Sequence, residues 1–208
     1  MIRACLGLGA TSALIVNRHS RQSGSSSCEA ETGIASAIGE TKLIYLKSLS
    51  DATGCKIYGK AEYLNPSGSV KDRAAKVIIE EAEKKGLLKP GGTIVEGTGG
   101  NTGIALAALG ASKGYKVVLT MPDMIAEEKV SLARRYGATV HLQPLRPFDD
   151  PEHYHQKAIT LGATLPNAIH TNQFENLANY RAHYGGTAPE IWAQTGGNID
   201  AFVAAAGT

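Results

Sequence analysis

Residues 93–120, TIVEGTGGNTGIALAALGASKGYKVVLT, decide the fold. An apolar run (93–96) breaks into a glycine-rich loop with Gly97, Gly99, Gly100 and Gly103. A long stretch of small and apolar residues follows (101–114), and then a second β-branched run (116–120). A short buried strand, a helix that packs closely through its small residues and a second strand make a βαβ unit, which requires a parallel sheet. The pattern continues outward in both directions. IYGKAEYL (57–64) reads as a strand. SVKDRAAKVIIEEAEKKG (69–86) reads as a helix, with Ser67 or Ser69 available as N-cap, Ala75, Ile78, Ile79 and Ala82 on one face, and Gly86 as its stop. A helix over 126–136, a strand over 138–143, helices near 151–161, 175–184 and 187–195, and a buried strand AFVAAA (201–206) complete an α/β pattern. Trp192 beside Ile191 reads as core.

The 208 residues are 43% hydrophobic and 19% charged, which is ordinary for a folded body. The 21 basic and 19 acidic residues are interspersed, so no strong basic face exists for nucleic acid, and none is expected as a partner. Cys5, Cys28 and Cys55 are odd in number and lack CxxC spacing, which argues for three free thiols in a reducing compartment.

The N-terminus differs from the rest. ACLGLGATSALIV (4–16) precedes NRHSRQSGSSSC, and no acidic residue occurs before Glu29. Thirteen apolar residues fall short of the roughly 20 that cross a bilayer. Arg3, Arg18 and Arg21 with abundant serine suit a mitochondrial import leader over residues 1–30, with membrane contact through that leader or a cytoplasmic location as the alternatives. Residues 31–208 are then the catalytic region.

Two stretches carry chemistry. In NPSGSVKDR (65–73), Pro66 and Gly68 make a turn after a strand, and Lys71 falls at the start of a helix. The positive end of the helix dipole mildly disfavours an ammonium there, and a neutral amine can form a Schiff base and act as a base. A surface lysine paired with Asp72 or Asp51 is the plainer alternative. In EGTGGNTG (96–103), loop amides, the helix N-terminus and the side chains of Thr98, Asn101 and Thr102 suit a carboxylate or phosphate. A loop needed only for a tight strand-to-helix turn is the alternative. The stretch matches neither GxGxxG nor GxxxxGK[ST]. His153 and His155 beside Asp149, Asp150 and Glu152 read as a solvated helix start, His170 and His183 read as structural, and no metal site is expected.

NPSGSVKDR, EGTGGNTGIALA and the later MPD, in this order, resemble the fold-type II pyridoxal-phosphate enzymes, the tryptophan synthase β-like group of cysteine synthases, cystathionine β-synthases and amino-acid dehydratases. SVKDR, PNAIHTNQFENLANYRAHY and TAPEIWAQTGGNIDAFVAAAGT look like fungal-type, organelle-associated cysteine synthases. The resemblance runs from about Ile38 to the last residue. It implies parallel sheets with helices on both sides, in a smaller N-terminal domain plus part of a larger one, incomplete at the C-terminus. It implies pyridoxal 5'-phosphate on Lys71, with Asn101 at the cofactor's ring hydroxyl and Gly207 and Thr208 as the first two residues of a GTGGT phosphate loop. Thr98, Gly99, Gly100, Asn101, Thr102 and Gln173 would grip the substrate carboxylate. The implied reaction makes cysteine from O-acetylserine and sulfide by β-replacement in a homodimer. Another enzyme of the group, such as cystathionine β-synthase or serine dehydratase, or an inactive binding or scaffold homologue, is the alternative. Gly99 stands where the family usually has serine or alanine, and Lys42 where it usually has proline.

Overall fold

The apolar runs pair as the pattern requires. In the computed structural model, which describes residues 33–205, the chain first forms a small antiparallel ladder of β1 (Leu43–Tyr45) and β2 (Tyr58–Lys60), separated by the short helix α1 (Lys47–Thr53). Leu43 pairs with Lys60 and Tyr45 with Tyr58. The turn at 65–70 then leads into α2 (Lys71–Lys84). The expected apolar face of α2 is the buried one: Ala75, Ile78, Ile79 and Ala82 recur at helical spacing. Gly86 adopts φ +68°, its amide donates to Glu83 O, and Leu87 N donates to Ala82 O at 2.9 Å. That pair of bonds satisfies the last carbonyls and ends the helix where glycine allows the left-handed turn.

Four strands form the main sheet: β3 (Thr93–Gly97), β4 (Lys116–Pro122), β5 (Thr139–Gln143) and β6 (Ala168–His170). They lie in the order β5-β4-β3-β6, and all pairings are parallel, with Val95 opposite Val118 on one side and His170 on the other. Helices α3 (Asn101–Ser112), α4 (Glu127–Arg135) and α5 (Tyr154–Thr164) are the crossovers. Right-handed crossovers put α3 and α4 on one face of the sheet and α5, which returns the chain past β3, on the other. Residues Thr102 to Gly110 of α3 are all buried, as its uniformly apolar composition requires. Ile94, Leu106, Leu109, Leu119 and Met121 form the centre of the core together with Ile79 of α2. After β6 come α6 (Leu177–Ala182), a wide turn at His183–Thr187 and α7 (Ala188–Gln194). No helix among the described residues is long and apolar enough to cross a membrane.

Several expectations from sequence are corrected. The strand expected over 57–64 stops at Lys60, and Glu62–Leu64 is a single 3-10 turn that swings Glu62 toward Arg73. The stretch 201–205 forms no strand and is exposed, because no neighbouring strand meets it among the described residues. β6, β1 and α1 are additional elements; three-residue strands are too short to show a period. Trp192 is 62% exposed, since Glu190, two residues earlier on α7, is the residue turned inward. Cys55 is a free, exposed thiol; Cys5, Cys28 and the leader lie outside the described residues.

Candidate functional site

Lys71 is placed by a turn locked at both ends. Asn65, almost fully buried, accepts from Gly39 N and donates to the backbone and the carboxylate of Glu62. Asp72, 1% exposed, accepts from the amide of Ser67 at 2.7 Å and from the Ser67 hydroxyl. The turn itself closes through Gly68 N to Asn65 O at 2.8 Å, with Gly68 at φ +85°. Neither serine is the N-cap of α2, which is Val70 without a side-chain cap bond; the Ser69 hydroxyl accepts from Lys71 N at 3.3 Å. Both acids named as partners for Lys71 are engaged elsewhere, Asp72 with Ser67 and Asp51 with Lys47 at 2.5 Å. Lys71 is half-buried, and burial holds its ammonium below the ordinary lysine range. Among the described residues no acid pairs with Lys71, and desolvation without a counter-ion favours the neutral amine.

Behind Lys71 lies an ion cluster that sequence inspection did not single out. Arg73, 5% exposed, donates to Glu62 Oε2 at 2.7 Å and Oε1 at 2.9 Å, and to Glu190 Oε1 at 2.6 Å and Oε2 at 2.7 Å. Lys60 joins Glu190 Oε2 at 2.7 Å, and Glu40 N donates to Glu190 Oε1. Burial opposes the charge on Glu190, but Arg73, Lys60 and the Glu40 amide outweigh it and hold the carboxyl down at about 2. The network ties α2, two residues past Lys71, to β2 and α7. Its only advance signal was an arginine on the inward side of α2, at i+2 from the lysine.

The second stretch forms at the carboxyl end of β3. Thr98 N donates to Thr120 O, and Gly100 N to Thr98 Oγ1 at 3.2 Å, which folds the loop back on itself. The amides of Gly99, Asn101 and Thr102 donate to nothing among the described residues. At the N-terminus of a twelve-residue helix such free donors, with the positive end of the helix dipole, suit an anion. Thr98 and Thr102 are buried, while Asn101 and Gly99 are exposed. A Cβ on Gly99 would meet only Ile125 Cδ1 at 3.7 Å, so glycine there leaves open space instead of relieving a clash. At Gly103 the reverse holds: a Cβ would lie 2.7 Å from Thr98 Cγ2 and 2.9 Å from Met121 Cε. Gln173, 71 residues further along than Thr102, reaches the same place. Its Oε1 accepts from Thr102 Oγ1 at 2.6 Å, and its Nε2 donates to Gly97 O at 3.3 Å.

The topology explains this meeting. The chain progresses from β3 to β4 to β5 in one direction and then crosses back to β6 on the other side of β3. The carboxyl ends of β3 and β6 therefore flank a switch point, the place where open α/β sheets receive ligands. The loop after β3 carries Thr98 to Thr102, and the loop after β6 carries Gln173. Because α2 feeds β3 and α3 follows it, both helices run against the strand, and the N-terminus of α2 with Lys71 lies at this same end of the sheet. Gly207 and Thr208 lie outside the described residues.

The histidines depart from expectation. His153 and His155 are both 6% exposed, covered by Phe148, which stacks on His155 at 5.2 Å between ring centroids. They form a buried helix start in which His153 Nδ1 caps α5 by accepting from His155 N. Glu96, which sequence reading passed over as part of a strand, has no exposed surface; burial pushes its carboxyl up to about 7 against the pull of Thr171, Gln173 and Gly97.

Comparison with known proteins places the chain in a family and agrees with the fold. The profile of the family described as pyridoxal-phosphate dependent enzyme matches residues 34–208. Over 176 residues the chain is 55% identical to cysteine synthase 1 of Neurospora crassa, covering 85% of this chain and 47% of that protein. It is 53% identical to the cysteine synthase of Dictyostelium discoideum over 176 residues, with 85% and 47% covered. Among solved structures, O-ureido-L-serine synthase superposes with a TM-score of 0.75 at 38% identity, covering 82% of this chain and 52% of that one. The chain spans about half the length of the curated relatives it matches.

Proposed function

The chain belongs to the family of pyridoxal-phosphate dependent enzymes, and from that membership we propose that it serves in cysteine synthesis, converting O-acetylserine and sulfide to cysteine and acetate. The observation that carries the reading is a half-buried Lys71, without a counter-ion among the described residues, at the end of the sheet where Thr102 and Gln173 meet. The residues present suit the cofactor. An amine held toward its neutral form is what an aldehyde requires, and unpaired amides at a helix N-terminus are what anionic groups require. Lys71 would hold the cofactor and Asn101, exposed at the first position of α3, would meet its ring. When bound, pyridoxal phosphate supplies an electron sink that stabilises negative charge at the substrate α-carbon.

The chain's own residues do the remainder. Lys71 Nζ, once free, takes the α-proton, and desolvation lowers the cost of its neutral form. The amides of Gly99, Asn101 and Thr102, with Gly100 in the loop between them, orient the carboxylate, and Thr98 shapes the loop through Gly100 N. Gln173, clamped between Thr102 Oγ1 and Gly97 O, holds that loop against the segment after β6. Open space at Gly99 leaves room for the departing acyl group. Mitochondrial import through the N-terminal leader, contact of that leader with a membrane surface, and homodimer formation complete the proposal; the leader's arginine and serine content supports the first.

The test is an absorbance spectrum of the purified chain with pyridoxal phosphate. A band near about 410 nm that is absent in Lys71→Ala is expected, followed by sulfide-dependent cysteine formation from O-acetylserine. No band in either protein overturns the reading for this chain. A band with turnover of homocysteine or water in place of sulfide reassigns the second substrate.

A further inference from the structure

Glu96 on β3, His155 in the first turn of α5 and His170 at the end of β6 converge from three separate elements. One carboxylate oxygen and one ring nitrogen of each histidine lie within 4.8 Å of one another. His170 Nε2 is 3.9 Å from Glu96 Oε1, too far for a hydrogen bond. His155 Nδ1 and His170 Nε2 are both buried and have no hydrogen-bond partner among the described residues. Buried polar atoms are nearly always satisfied, so two orphaned nitrogens on histidines clustered with one buried carboxyl group call for an explanation.

We propose that Glu96, His155 and His170 form a divalent-cation site of the zinc type, lying behind the substrate loop and separate from Lys71. Two imidazoles and one carboxylate are an established zinc ligand set, leaving a fourth position for water. Bonds of about 2.0–2.1 Å place tetrahedral ligand atoms about 3.3 Å apart, so each side chain need move by less than about 1 Å. The second carboxylate oxygen is already oriented: Glu96 Oε2 accepts from Thr171 Oγ1 at 2.5 Å and from Gln173 N at 3.1 Å. Outer contacts of this kind are the usual support of a metal ligand.

The framework around the site is rigid. A Cβ on Gly97 would come within 2.8 Å of His155 Cα, and one on Gly162 within 2.7 Å of His170 Cβ, so glycines let both histidines approach the sheet closely. Because Glu96 also holds the Gln173 amide, an ion here would stiffen the segment that meets Thr102.

The experiment uses the full chain, stripped with a chelator and desalted, titrated with Co2+ by visible absorbance and with Zn2+ in competition with a chromophoric chelator. It needs no pyridoxal phosphate and so stands or falls apart from the cofactor reading. One equivalent per chain is expected, with tetrahedral Co2+ bands, retained in the exposed control His141→Ala and lost in His155→Asn and His170→Asn. Should either histidine variant fail to fold, Glu96→Gln, which preserves shape, is expected to weaken binding at least tenfold. A wild-type chain that takes up no ion, as it would if a water fills the site, overturns the proposal. So does uptake that survives in the folded variants.

Discussion

Removing Arg73 should destabilise the chain far more than an ordinary surface substitution. The guanidinium makes four contacts of 2.6–2.9 Å with Glu62 and Glu190, and the side chains involved are 5% exposed for Arg73 and 18% for each acid. In Arg73→Ala both carboxylates keep their desolvation and lose the charge that offsets it, although Lys60 still reaches Glu190. Breaking a buried pair in this way costs about 3–5 kcal/mol, and the residual exposure of the acids and the remaining lysine argue for the lower end, about 3 kcal/mol. For a chain of this size that corresponds to a fall in melting temperature of roughly 6–12 °C. The assay is thermal unfolding followed by circular dichroism at neutral pH, for Arg73→Ala, Glu190→Gln and the double variant. The cycle should give a coupling above about 1 kcal/mol between the two positions, because they share hydrogen bonds. A loss below about 1 kcal/mol for Arg73→Ala, or additive single effects, would refute the reasoning that this cluster holds the start of α2.

The same cluster sets an acid limit. The Glu190 carboxyl is held at about 2 in the folded chain against an ordinary 4.5, so its contribution is fully present above 4.5 and drains away as pH falls toward 2. Denaturation midpoints measured from pH 6 to pH 3 should decline in the native chain and decline less in Glu190→Gln. Gly103→Ala should cost about 1–3 kcal/mol through overpacking against Thr98 and Met121 and should weaken anion binding at the loop, read by denaturant unfolding and by titration with a substrate carboxylate. Gly97→Ala meets backbone, His155 Cα at 2.8 Å and Tyr154 O at 3.0 Å, and should destabilise at least as much as Gly103→Ala; equal stability to wild type would show that α5 can shift away from β3.

What could be read before folding was local. The β-branched runs at 93–96 and 116–120, the small-residue helix between them and the 75, 78, 79, 82 stripe of α2 each carry their period within one segment, and each forms where that period places it. Lys71 at a helix start and the glycine loop after β3 were visible for the same reason, since turn chemistry depends on immediate neighbours. Tertiary structure decided which groups meet. It turned Trp192 outward and Glu190 inward, gave Asp72 to Ser67, and buried His155 against Phe148. It also brought Gln173 to Thr102 and His170 to Glu96 across more than 70 residues. Those pairings arise because the chain reverses direction across the sheet after β5 and lays β6 beside β3, and a charge becomes reactive or structural only when its solvent and counter-ions are known. Periodicity records which face of an element is buried; it carries no information about the partner on the other side.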